Sequence, residues 1–374
     1  MSKCLCDKCS QIDLYGILAH GVPVEARIPL DSVVNVLSKS TTCSLCLIVL
    51  TAVRRTWLLD DYTQADLSGI DLALYSGGNR DLSYLDFAAD SGSTPITIHV
   101  FYSYIPPEIE TAVGPSHSRL PTIQLMAGDA HLFGRSQEGH GRVVEDTLDV
   151  SYIKQWLHAC ESTHGGRCTA PSWATDDELP SSVRMLDVVD MALVPAPPKC
   201  RYLSLSYVWG SAAECNHRSY CTNSANLARR SRRCGVELST LPATISDAVL
   251  LARELDERYL WIDALCISQD DPIHKAEQIS AMDRIYTRAI LTVFAAGGSS
   301  ANAPLPGFRS GTRVVQQVIE EVQDLHLVVP FPAALDELAQ TTWDSRAWTY
   351  QEMMLSRRRL FFTPSQVIFE CCTD

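Results

Sequence analysis

Between Tyr202 and Phe294 the chain carries a pattern that few folds can satisfy. Tyr202-Leu203-Ser204-Leu205-Ser206-Tyr207-Val208 alternates as a strand and stops at Trp209-Gly210. Beyond a polar stretch, Pro242 suits a first helical turn, and Ile245, Ala248, Val249, Ala252 and Leu255 continue as a helical stripe. Tyr259 to Ile267 is β-rich and predicts a second strand. Asp271-Pro272 opens a helix with the stripe Ile279, Met282, Ile285, Tyr286 and Ala289, and Ile290 to Phe294 is a third strand. Strand, helix, strand, helix, strand calls for parallel strands joined by crossover helices, that is, an α/β doubly wound parallel sheet. Ligands of such sheets sit outside the carboxyl ends of the strands. One cleft is therefore expected at Trp209, Gly210, Ser268, Gln269, Asp270 and Gly298. Trp209 with Gly210 would make a ring-stacking wall beside closely approaching backbone, or a core indole with a turn glycine.

The rest of the chain differs. Residues 1–65 are cysteine-rich and helical, with a mostly apolar run from Ser44 to Leu59. Residues 66–198 are mixed, with strand-like runs at Ile70–Tyr75 and Ile96–Tyr102, turn clusters at 76–79 and 90–93, and a helix from Asp149 to His164. Pro195-Ala196-Pro197-Pro198 reads as the linker to a third region, 199–374. The last strand-like stretch, Gln366 to Cys371, is followed so soon by the end that a longer natural chain is expected. A net charge of −13 disfavours nucleic acid as the main partner. Arg229–Arg233 and Arg357–Arg359 then read as solvated surface. No run is apolar enough to span a bilayer and the first residues have no signal core, so a cytoplasmic location is expected by elimination.

In that compartment 14 cysteines are not a disulfide framework. Cys6-x-x-Cys9 and Cys43-x-x-Cys46 are knuckle-spaced pairs that together predict a structural zinc. The alternative is that Cys43 and Cys46 are simply buried on one helix face. Cys160, His164 and Cys168 repeat at helical spacing, and fit either a further metal cluster or a packed helix with a capping histidine. There is no Walker loop, dinucleotide-binding glycine motif, HExxH or GxSxG, which disfavours ordinary dehydrogenases and P-loop enzymes.

Three segments carry a resemblance. Leu203–Gly210, then Leu260–Asp270 with Gln278, Met282, Ile285-Tyr286 and Ala289, then Arg346-Ala347-Trp348-Thr349-Tyr350-Gln351-Glu352, resemble in order the signatures of the fungal heterokaryon incompatibility (HET) domain. The resemblance covers about residues 200 to 355. It implies a programmed cell death effector in non-self recognition, with a recognition partner protein and self-association. It also implies a distant likeness to the TIR/flavodoxin-like fold, some TIR members of which hydrolyse NAD through a glutamate.

Under that implication NAD is a substrate and a carboxylate is needed. Glu277, in the first turn of its helix, either meets the helix dipole or faces the cleft. Glu352 is its rival. Asp263, placed by alternation within the second strand on the face of Trp261 and Leu265, is either anchored to an arginine such as Arg346 or is a polar group of the pocket. Two readings follow: an NAD hydrolase activated by self-association, and a non-catalytic death-signalling module acting through association alone.

Overall fold

All five residues of the run Leu203–Tyr207 are buried, as expected of a strand covered on both faces. The structure, a computed structural model, describes residues 4–57, 67–77, 96–104, 120–137, 140–169, 178–211, 217–332 and 334–373. The chain folds as two compact units, Met1–Val144 with Gln316–Pro332, and Glu145–Val315 with Ala333–Asp374.

The first unit is built on an antiparallel sheet. Its strands are β1 (Ile28–Ser32), β2 (Asp71–Tyr75), β3 (Thr97–Tyr102), β4 (Thr122–Leu125), β10 (Ile319–Val322) and β11 (Leu325–Val328), in the order β1-β2-β3-β4-β11-β10. The helix Ser44–Trp57 contributes Leu45, Ile48, Val49 and Ala52 to the core that also holds Leu72, Ile98, Ile123 and Leu327. Of the turn clusters at 76–79 and 90–93, only Ser76 and Gly77 fall within the described residues.

The second unit holds a seven-stranded sheet in the order β13-β12-β9-β7-β8-β5-β6. Its strands are β5 (Arg184–Asp187), β6 (Ala192–Pro195), β7 (Leu203–Tyr207), β8 (Tyr259–Trp261), β9 (Leu291–Ala295), β12 (Arg358–Phe362) and β13 (Val367–Cys371). The expected parallel pairing is present: β7 runs parallel to both β8 and β9, and β9 to β12. The flanking pairs β12–β13, β5–β6 and β5–β8 are antiparallel, so the sheet is mixed. From β7 the chain goes to one side for β8 and returns to the other side for β9, which makes β7 the strand where the order reverses.

Three expectations need correction. The run 259–267 is not one strand: β8 ends at Trp261 and Asp263–Cys266 is a helical turn. Thr222 fastens that turn, its N–H donating to the Ala264 carbonyl and its hydroxyl to that of Leu265. The β-rich composition there serves burial rather than pairing. Asp263 consequently leaves the alternation with Trp261, and its Oδ1 accepts the Ala264 N–H at 2.6 Å. The helix opened by Asp271 breaks at Ala281 into Pro272–Ser280 and Met282–Arg288. Ile279 is exposed, because the buried face is the polar pair His274 and Gln278, which bond to Ser182. Finally, 195–198 is no linker. Pro195 ends β6, and the Ala196 N–H donates to the Val183 carbonyl. The boundaries drawn from sequence at 65 and 198 fall inside the two units. Among the described residues no helix is long and apolar enough to cross a membrane.

Candidate functional site

Alternation along β7 puts Ser204 and Ser206 on one face, and both hydroxyls are fully buried. A buried hydroxyl needs a partner. Ser204 meets Thr292 at 2.8 Å, Thr292 meets Ser356 at 2.6 Å, and Ser356 donates to the Glu352 carbonyl. Ser206 donates to Oε2 of Glu352 and accepts from Trp343 Nε1 at 2.8 Å. The helix Ala347–Leu355 thus directs Glu352 onto the end of the central strand.

The other two motif segments arrive at the same place. Trp209, just past β7, donates from Nε1 to Oδ2 of Asp263 at 2.7 Å, and its ring stacks on Tyr207. Gly210 follows with φ of 84°, a left-handed turn that favours glycine. Arg346 donates to the Tyr207 carbonyl, and its cation draws down the pKa of both Asp263 and Glu352. Tyr286, buried against Trp261, adds its hydroxyl.

The electrostatics of the pair are unusual. Burial pushes Glu352 up to about 7; Ser206, Arg346 and Tyr286 oppose that push, and the Asp263 charge adds to it. Burial also raises Asp263, against donation from Trp209 and the Ala264 N–H and the charge of Arg346. A buried carboxyl whose proton affinity is raised further by a neighbouring carboxyl, as Glu352 is by Asp263, can exchange a proton near neutral pH.

The other candidates fall outside this cluster. Ser268 is buried and fixed by Arg184 and His274. Gln269 donates to the Asp263 carbonyl at 3.0 Å, and so braces the turn from behind. Asp270 accepts the N–H and hydroxyl of Ser224, which lower its pKa. Gly298 sits where a Cβ would come within 2.5 Å of Ala303. These residues build the strand-end loops through local bonds. Glu277 is exposed, on the rim of a shallow depression shared with Ser181, Ser182 and Arg284. Ser206 and Trp343 escaped notice in the sequence, since nothing marks one buried hydroxyl or one indole before the partner helix is placed.

In the first unit, Cys6, Cys9, Cys43 and Cys46 come together, with all four sulfurs within 4.8 Å of one another. Cys9 and Cys46 are 3.6 Å apart and Cys6 and Cys46 4.0 Å. A tetrahedral ion with bonds of about 2.3 Å would have sulfur–sulfur edges of about 3.8 Å. The four soft donors therefore fit a metal ion, and Lys39 lies within electrostatic reach of Cys6 and Cys46.

Residues 202–352 match the family model described as heterokaryon incompatibility protein (HET). Over 97 residues the chain is 34% identical to heterokaryon incompatibility protein 6, OR allele, of Neurospora crassa, a match covering 25% of this chain and 14% of that protein. No solved structure matches the chain. The matched segment begins at the strand carrying Ser206 and ends at Glu352, so it encloses the whole carboxylate cluster: residues 202–352 are a heterokaryon incompatibility domain.

Proposed function

We propose that this chain acts in heterokaryon incompatibility as a cell death effector, and that its HET domain hydrolyses the nicotinamide–ribose bond of NAD on self-association. The observation that carries the reading is the convergence of all three motif segments on Asp263 and Glu352 at the end of β7. The strand order around β7 supports a TIR/flavodoxin-like, doubly wound core with its ligand at that switch point. We assign the essential carboxylate to Glu352. Glu277 is exposed and has no part in the hydrogen-bonded cluster.

In the proposed reaction the N-glycosidic bond breaks and nicotinamide leaves with the bonding electron pair, as a neutral base. Positive charge passes to the ribose, where a fixed carboxylate stabilises it more than it stabilises the ground state. Water adds to the ribose carbon, and Glu352, poised near neutrality, takes its proton. Trp209, part-buried beside Asp263, would stack on a ring of the substrate. The four N-terminal cysteines would hold a structural zinc.

The test is nicotinamide release by concentrated, purified full-length chain given NAD. Glu352→Gln should cost about two to three orders of magnitude in rate. A second reading has its own support. Glu352 is only 8% exposed and is covered by Ser206 and Tyr286, as a purely structural carboxyl would be. If Glu352→Gln folds and kills as the parent does, the effector acts through association alone.

A further inference from the structure

Cys160 lies on the helix Val150–Thr163, His164 caps that helix, and Cys168 sits in the turn Gly166–Thr169. Cys371 closes β13, far away in sequence. We infer that these four residues form a second structural zinc site of Cys3His type, which fastens the β12–β13 hairpin to the Val150–Thr163 helix.

The geometry is that of a tetrahedral donor set. The four ligand atoms lie within 4.8 Å of one another, with Nδ1 of His164 at 3.3 Å from Cys371 Sγ and 3.8 Å from Cys168 Sγ. Mixed bonds of about 2.3 Å to sulfur and about 2.0 Å to nitrogen require edges of roughly 3.5–3.8 Å. All three cysteines are buried.

A second, independent observation is electrostatic. Arg358 is 2% exposed, and no carboxylate pairs with it among the described residues. Its Nε donates to Cys160 Sγ at 3.1 Å and its Nη1 to the Ile290 carbonyl, while Nη2 has no hydrogen-bond partner among those residues. A buried cation without a counter-charge is costly. A divalent ion held by three thiolates and a neutral imidazole carries one net negative charge, which balances Arg358. The antiparallel register places Arg358 directly opposite Cys371, so one strand pair supplies both a ligand and the compensating charge. Thr373 adds its hydroxyl at 3.3 Å from Cys168 Sγ. Three neutral thiols would leave the guanidinium unbalanced.

The experiment uses full-length chain purified under reducing conditions without chelator, with zinc measured per chain by elemental analysis. The Cys9→Ser/Cys46→Ser double variant removes the N-terminal set and should retain one zinc. Adding Cys371→Ser or His164→Ala should take it to none, and adding His164→Cys should keep it. A folded double variant without zinc, or with zinc that survives loss of Cys371 and His164, overturns the assignment. Where the double variant does not fold, X-ray absorption at the zinc edge of the parent decides. Two ions sharing seven sulfurs and one imidazole nitrogen support the site. A single ion in an all-sulfur shell overturns it and leaves the N-terminal site standing.

Discussion

Glu352 is buried at the end of β7: Ser206 donates to its carboxyl and Arg346 and Tyr286 also favour the ionised form, but burial outweighs all three. The neutral acid is therefore unusually comfortable in the folded chain. Its pKa rises from the ordinary 4.5 to about 7, so the stability it contributes is fully present below pH 4.5 and is lost as pH rises through 7. For a group this buried the difference amounts to roughly 3 kcal/mol. Glu352→Gln keeps the shape and the acceptor for Ser206 but never ionises. We expect the variant to melt higher than the parent at pH 8 and level with it at pH 4, while losing activity. Thermal melts at the two pH values check this, and equal shifts at both would contradict the buried-acid account. The inverse link between activity and stability is what a site that stores an unfavourable charge should display.

At the scale of elements, the hairpin β10–β11 shows why part of the first unit was invisible in the sequence. Its two-residue turn is Gln323-Asp324, and both residues adopt positive φ, 52° and 61°. Such turns normally advertise themselves with Asn-Gly or Gly. Here Gln323 tolerates the strained backbone because its amide is used: Nε2 donates to the Ile12 carbonyl at 2.6 Å and Oε1 accepts the Leu14 N–H at 3.2 Å. Gln323→Ala should destabilise the chain by about 1–2 kcal/mol, read from urea unfolding, because it leaves both groups without their partner. The parallel strands β7 and β9 were legible because alternation, flanking glycines and intervening stripes all agree. The end of β8 was not. Ile262 to Ile267 is apolar apart from Asp263, and Thr222, remote in sequence, fastens it as a helical turn. The same limit applies to the site. Asp263, Glu352 and Trp209 could be picked out from motif resemblance, but their convergence depends on where β7 places Ser206, which no local pattern states.

For the whole molecule, the two units have separate hydrophobic cores, and among the described residues each contains one cysteine cluster. In both clusters the donors come from distant segments: residues 6–9 and 43–46 in the first unit, residues 160–168 and 371 in the second. A metal that binds only the folded arrangement adds its binding free energy to the stability of the unit that holds it. At a thousandfold excess over Kd that is about 4 kcal/mol, or about 10 °C in Tm for units of this size. Two independently cored units should melt in two calorimetric transitions. Cys9→Ser should lower one transition by about that amount and leave the other in place. Cys371→Ser should do the reverse. Nicotinamide release should follow the second pattern, since Glu352 and Asp263 share their unit with Cys371 and not with Cys9. If instead Cys9→Ser lowers both transitions equally, the units do not fold as separate bodies, and the N-terminal metal then governs the stability of the HET domain as well as its own sheet.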